Sequence, residues 1–389
     1  MSSIQRDMSL MDAHIKTINY RNLRRMDWVL FGLTALLAAI GIAALYSASQ
    51  SASSEVPVYL KYYFKQAVFL TMGFTIALII VCIDYRALVS LAPLFFLGVI
   101  GLLVAVLFWG TSAKGGQHWL RFGLIGIQPS ELSKLALVYM LAWYLSAVRE
   151  RIQKLFYFGL AFAIMGVLLA LILAQKDLGT ALVLIPVVIV MLFTAGARKR
   201  HLLVPVLAGL VMIPFVFLHV EKLPLSEHQK KRLTSFFHPE KDAKESGYHI
   251  IQTKIAVGSG QMWGKGFGKG TQTHLRFLPE YHTDFIFALL AEEKGFIGAS
   301  VVVGLFALFL LRGLALARDC PDLAGSLLAV GCVTVLGFHI LSNIAITLHL
   351  MPITGLPLPF LSYGGSFCLT AMMCVGTMLS VHVRKGFFD

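Results

Sequence analysis

The sequence predicts an all-α integral membrane protein of about ten transmembrane helices, with a large extracytoplasmic loop between the seventh and eighth. Two observations predict it. Hydrophobic residues make up 57% of the chain and charged residues only 14%, with a mean hydropathy of +0.77, whereas soluble domains carry about a quarter charged residues. The apolar residues also fall in unbroken runs near the roughly 20 residues that a helix needs to cross a bilayer, far too long for the alternating strands of a barrel.

In chain order the cores of these runs are 28–47, 66–83, 87–109, 132–148, 155–174, 178–195, 202–220, 285–311, 324–346 and 363–383. Residues 1–27 are polar and basic, longer than an ordinary signal-peptide n-region, and precede a run long enough to span. They read as a cytoplasmic tail, with a short interfacial helix, ahead of an uncleaved anchor; the alternative is that "YSASQSAS" is a cleavage site. Residues 28–383 then form one polytopic domain that includes the loop 221–283, and 384–389 form a second cytoplasmic tail.

The basic residues set the orientation. With the N-terminus inside, the inner tails and short loops carry sixteen Lys/Arg and the short outer loops five, which by the positive-inside rule places both termini in the cytoplasm. The formal charge of +13 is thereby concentrated where anionic headgroups lie, and calls for no nucleic-acid partner. The odd number of cysteines, five, and the absence of a Cys/His zinc spacing point to packing rather than to disulfides or zinc.

The loop 221–283 holds ten Lys/Arg, a helical pattern in "YHIIQTKIAV" and a glycine-rich run, "GSGQMWGKGFGKGTQ". That run matches neither nucleotide-binding glycine motif, lacks a βαβ context, and faces a compartment without a standing ATP supply, so no nucleotide is expected. Two readings remain open for Lys254, Lys265, Lys269 and Arg276: a cradle for a phosphate-bearing ligand, or a solvated loop facing headgroups.

Asp284 stands where the eighth run meets water. It reads either as a helix-terminal carboxylate favoured by the helix dipole, or as a general base between an apolar slot and a basic loop. His282 either orients it or is a loop residue. Glu131 and Lys134, at i and i+3 in "QPSELSKL", share one helical face and must pair or face a polar cleft. Glu292 and Glu293 need protein partners if their helix is continuous, and the proline-rich "HLMPITGLPLPFLSYGGS" cannot be regular helix.

Physics alone leaves an enzyme acting on a lipid-linked substrate or a transporter of one. Five stretches, "QPSELSKL", "KDLGTALV", "GYHIIQTKIAVGSG", "WGKGFGKGTQTHLRFLPEYHTDFIFALLAEEKGFIG" and "MPITGLPLPFLSYGGS", resemble the bacterial SEDS family (shape, elongation, division and sporulation) in matching order from Trp28 to Arg384. Within it, "GKGTQTHLRFLPEYHTDF" is closer to the rod-shape (RodA) branch than to the division branch.

The resemblance implies a peptidoglycan glycosyltransferase of the cytoplasmic membrane that polymerises lipid II into β-1,4 glycan strands on the outer face and releases undecaprenyl pyrophosphate. It marks Asp284 as the catalytic carboxylate and the pair Glu131 and Lys134 as functionally important; the pair reads as shaping the lipid-facing cavity rather than performing bond chemistry. Candidate pyrophosphate contacts are Arg121, Lys134, Lys265, Lys269 and Arg276, and Glu280 is a weaker candidate for substrate or metal. The leaving group calls for charge stabilisation by these cations or by a divalent cation, Mg2+ or Mn2+. The implied partners are a class B penicillin-binding protein and other membrane proteins of the elongation complex. Three positions depart from the family: Lys176 where proline is frequent, which loosens the start of the sixth span, Lys294 where an apolar residue is usual, and Phe367 where a small one is common. Rival readings are a lipid II flippase, favoured by buried charges and broken outer segments, and a scaffold without catalysis.

Overall fold

The computed structural model describes residues 24–49, 57–113, 116–122, 125–220, 227–237, 239–242, 246–275, 277–278 and 280–385. The first helices are α1 (Trp28–Ser49), α2 (Tyr62–Cys82), α3 (Tyr85–Ser90) and α4 (Ala92–Trp109). A small antiparallel sheet follows, β1 (Thr111–Ala113), β2 (Gly116–Phe122) and β3 (Ile125–Ile127), in that spatial order. Next come α5 (Pro129–Val148), α6 (Leu155–Ala174), α7 (Leu178–Thr194) and α8 (Lys199–Leu218). The long loop contributes α9 (Glu227–Phe237), α10 (Ser246–Ser259) and α11 (Thr271–His274), and α12 (Ile286–Arg318), α13 (Leu323–Thr347) and α14 (Gly365–Val383) complete the chain.

Nine of these helices are long and apolar enough to cross a membrane, and α7, at 17 residues, is a shorter apolar helix that completes the expected ten. Two expected spans are not single helices. The run 87–109 is divided at Leu91, because Pro93 in the first turn of α4 has no N–H to continue the ladder from α3. The eighth is interrupted inside α12 at Gly295, whose φ of 67° and ψ of −167° lie outside any helix.

The centre of the bundle is α5, α13 and α14, whose faces are mostly buried, whereas α8 lies at the periphery with its apolar side chains exposed. Small residues allow close approach where the hydrophobic effect gives helices no preference over lipid. A Cβ on Gly376 of α14 would stand 2.8 Å from Cα of Ala77 in α2, and one on Gly331 of α13 would stand 2.6 Å from a methyl of Val138 in α5.

Ion pairs tie one end of the bundle together. Arg312 donates to Asp27 through Nε at 2.9 Å and Nη2 at 2.5 Å, Lys385 Nζ donates to Asp319 at 2.9 Å, and Arg384 Nε lies 3.5 Å from Asp84. The start of α1, the α2–α3 turn and the ends of α12 and α14 therefore share one end of the molecule. Asp284 and the segments before α12 occupy the other.

Candidate functional site

Residues 280–285 form the turn that opens α12. Glu280, in the left-handed region at φ 53°, accepts the backbone N–H groups of Thr283 and Asp284 on its carbonyl, both at 3.1 Å. Three bonds from outside the turn then fix it. Asn343 Nδ2 on α13 donates to the carbonyl of Asp284 at 2.9 Å and to that of Leu356 at 2.9 Å. Ser362 Oγ donates to the carbonyl of Thr283 at 2.5 Å while accepting from the N–H of Leu358 at 2.9 Å, and the N–H of Tyr363 donates to the carbonyl of His282 at 2.8 Å. The prolines that keep 348–364 from being helix leave backbone groups that need partners, and some are found here.

Asp284 is partly exposed, held by its backbone rather than sunk in the core. His282 stacks on Tyr62, with ring centroids 3.9 Å apart and planes 14° apart, and its Nε2 lies 4.0 Å from Glu280 Oε2. Burial pushes the nearby Tyr363 phenol above its usual range, and Tyr62 adds to the shift. Glu280, His282 and Asp284 are thus brought to one turn, with His282 fixed by an aromatic stack.

Glu131 and Lys134 pair as their spacing predicts, Nζ to Oε2 at 2.6 Å, both buried in α5. Lys134 Nζ also lies 2.9 Å from His339 Nε2. An ammonium has no acceptor, so Nε2 accepts and Nδ1–H donates to the carbonyl of Pro357, 3.2 Å away. Phe367 stacks on His339 at 4.2 Å and places its ring 5.1 Å from Lys134 Nζ, which gives this bulky residue a defined role under the pair. The network runs from α5 through α13 into the segment whose Leu356 carbonyl shares Asn343 with Asp284.

A second knot joins other motifs. Asp177 caps α7, accepting from the N–H of Thr180 at 3.1 Å and its hydroxyl at 2.9 Å, and also from Ser130 Oγ at 3.0 Å and Gln128 Nε2 at 3.2 Å. The N–H of Gln128 donates to Ser366 Oγ at 3.1 Å. Lys176 does not loosen this region: its φ of 63°, closed to proline, forms a turn in which its N–H donates to the Leu173 carbonyl at 2.9 Å.

The glycine-rich run does something the sequence did not disclose. Around Gly295 the half-helices of α12 leave backbone groups without helical partners, and the run supplies them. The N–H groups of Lys265 and Gly266 donate to the carbonyls of Glu292 and Glu293, both at 3.0 Å, and those of Phe296 and Ile297 donate to the carbonyls of Gln261 and Met262 at 2.8 and 3.2 Å. Contact is so close that a Cβ on Gly295 would stand 2.3 Å from the nitrogen of Gly264. The buried carboxylates find partners here too. Glu292 Oε1 accepts from Lys265 Nζ at 2.7 Å, Thr271 Oγ1 at 3.2 Å and the N–H of Gln272 at 3.0 Å, and Glu293 accepts from Ser47 Oγ at 2.5 Å. Lys294 is exposed, with Nζ 5.1 Å from the Phe267 ring centroid.

The expected cations are therefore dispersed. Lys265 is engaged with Glu292, about 12 Å along the helix from Asp284; Lys269 is exposed on the same run, and Lys134 is buried with Glu131 and His339. Arg121 lies in β2 with its backbone opposite Gly126, its side chain outside the described set, and Arg276 is outside the described residues. Among the described residues no three His, Cys, Asp or Glu side chains gather as a metal-ligand cluster. His339 and Asn343 were missed, although polar groups inside an apolar run, "GFHILSNIAIT", are the signal that finds them.

The family described as "Cell cycle protein" (FtsW, RodA, SpoVE) matches residues 27–386. A relative named "Probable peptidoglycan glycosyltransferase FtsW", from Geobacter metallireducens, is 36% identical over 94% of this chain and 97% of its own. The rod-shape determining protein RodA of Thermus thermophilus has a solved structure that is 31% identical, with a TM-score of 0.68 over 93% of this chain and 98% of that one. A chain solved in work on how a peptidoglycan synthase complex coordinates polymerization and crosslinking is 30% identical, with a TM-score of 0.77 over the same shares.

Proposed function

The chain belongs to the FtsW/RodA/SpoVE (SEDS) family of cell cycle proteins, and from that premise we propose that it is a peptidoglycan glycosyltransferase, polymerising lipid II into β-1,4 glycan strands at the outer face of the cytoplasmic membrane. The observation that carries the reading is a partly exposed carboxylate, Asp284, whose turn is fixed by Asn343, Ser362 and Tyr363 at the mouth of a buried half-helix.

Asp284 accepts the proton of the acceptor sugar's 4-hydroxyl as that oxygen attacks the anomeric carbon of the donor. The bond from that carbon to the phosphate oxygen breaks, and its electron pair leaves with undecaprenyl pyrophosphate. An α-linked donor and a β product require one inversion in a single displacement, and because pyrophosphate leaves without being protonated by a general acid, a single carboxylate base suffices where many glycoside hydrolases need two. A divalent cation, Mg2+ or Mn2+, would neutralise pyrophosphate charge and would draw chiefly on substrate oxygens.

Cell elongation is the setting favoured by "GKGTQTHLRFLPEYHTDF", and the curated and solved relatives carry both division and rod-shape names. A class B penicillin-binding protein is the proposed partner, supported by the likeness to a chain from a synthase complex, together with other membrane proteins of the elongation machinery. The excess of Lys/Arg in the tails and loops read as inner supports both termini lying in the cytoplasm, with Asp284 outside.

A flippase draws support from the broken α12, since discontinuous helices build transporter sites. Here, however, carbonyls and N–H groups at the break are taken by the 261–266 backbone instead of being open to an ion. The test is lipid II supplied to the purified protein and its class B partner in vesicles. Glycan polymer supports the enzyme, and translocation of labelled lipid II without polymer supports the transporter.

A further inference from the structure

Helix α9 docks by one face. Gln229, Arg232 and Phe236 recur at i, i+3 and i+7, which puts them on one side of a helix. Gln229 Nε2 donates to the Lys176 carbonyl before α7 at 3.1 Å, and the Phe236 ring lies 4.9 Å from that of His349 beyond α13. Between these anchors Arg232 comes over the 348–364 segment at Gly355. A Cβ on Gly355 would stand 3.7 Å from Arg232 Nη1 and 3.9 Å from Asp284 Oδ2. Gly355 is exposed and has φ of 74°, so the missing side chain leaves a water-facing gap bordered by a guanidinium and a carboxylate.

We propose that this gap is the subsite for the pyrophosphate of the lipid-linked donor, and that Arg232 is the cation that takes up its charge. The inference rests on the reading of Asp284 as the base. When the glycosidic bond to phosphate breaks, its electron pair and the growing negative charge go to the pyrophosphate, while the acceptor proton goes to Asp284. A guanidinium is charged at every working pH and matches two phosphate oxygens at once. Of the other placed candidates, Lys134 is committed to Glu131 and His339 and Lys265 to Glu292, and Lys269 stands exposed on the glycine-rich run that clasps α12. Gly355 keeps the space between acid and cation clear, and the two anchors of α9 hold the arginine there.

The test measures binding of undecaprenyl pyrophosphate to the purified full chain in detergent, beside lipid II polymerisation with the partner. Arg232→Gln is expected to weaken binding about ten-fold or more, and Arg232→Lys less, because charge is kept while the bidentate fork is lost. Inorganic pyrophosphate should compete with the lipid in wild type, and phosphatidylglycerol should not. Asp284→Asn should bind the probe and make no polymer, so the two assignments fail separately. Undiminished binding by Arg232→Gln at equal folded yield would overturn the subsite whatever Asp284 does. So would equal loss in Arg232→Lys and Arg232→Gln, or an Arg232-dependent affinity for phosphatidylglycerol that matches that for the lipid pyrophosphate.

Discussion

Asn343 Nδ2 lies 2.9 Å from the backbone carbonyl of Asp284, and the same nitrogen reaches the Leu356 carbonyl at 2.9 Å. One amide on a central helix therefore sets the position of the carboxylate relative to the proline-rich segment. Replacing it with leucine keeps the branched shape and leaves two carbonyls without that donor, at roughly 1–3 kcal/mol for an unsatisfied buried group. Asn343→Leu should lower the melting temperature and lower polymerisation further than the lost stability accounts for, and Asn343→Gln should not restore it. Activity equal to wild type would show that the clamp does not position Asp284.

The break in α12 depends on glycine at two levels. Gly295 has a φ and ψ that only glycine adopts readily, and its missing Cβ leaves room for the Gly264 nitrogen. Gly295→Ala should cost roughly 1–3 kcal/mol in backbone strain and more in displaced packing, so folded yield falls sharply. Thermal unfolding in detergent checks this, and a wild-type midpoint would mean that the break tolerates a side chain.

How far the sequence could be read follows from these residues. Helix lengths were legible because apolar runs are a local property, and the spacing of Glu131 and Lys134 announced their pair for the same reason. The clasp of 261–266 on 292–297 was not legible. It joins segments about thirty positions apart through backbone groups, which every residue carries, and the glycines signalled close approach without naming what approaches. Arg232 was illegible for a related reason: nothing in "KKRL" separates it from a solvated basic stretch until Gln229 and Phe236 are seen docked. The grouping of Glu280, His282 and Asp284 was visible from adjacency, whereas Asn343 and Ser362 reach that turn only through the fold.

The buried pair should show the asymmetry of ionic interiors. Lys134→Met leaves Glu131 buried without its cation and should cost roughly 3–5 kcal/mol, and combining it with Glu131→Gln should recover part of that loss. Activity should stay low in the double variant, because His339 and the 348–364 segment lose their link to α5. A double-mutant cycle on melting temperature and polymer yield measures both, and full recovery of activity would limit the pair to packing.

His349 gives the docking of α9 a pH dependence. Burial, helped by the Lys254 ammonium, holds its imidazole below the usual histidine range, against the pull of the Phe236 carbonyl. A depressed folded value means that the unfolded chain binds the proton more readily. The contribution is therefore fully present above about pH 6.5 and is lost as pH falls through the folded value. Wild type should lose more stability between about pH 7.5 and about pH 5.5 than His349→Gln does. Parallel losses in both proteins would remove His349 from the account.

The role of Asp284 is isolated by comparing wild type with Asp284→Asn in lipid II polymerisation, at equal folded yield and with the class B partner present. The substitution keeps the shape and the backbone clamps of the turn and removes only the base. Glycan strands are expected from wild type and a loss of about a hundred-fold or more in the variant; strands formed by Asp284→Asn at the wild-type rate would contradict the role of Asp284 as the base.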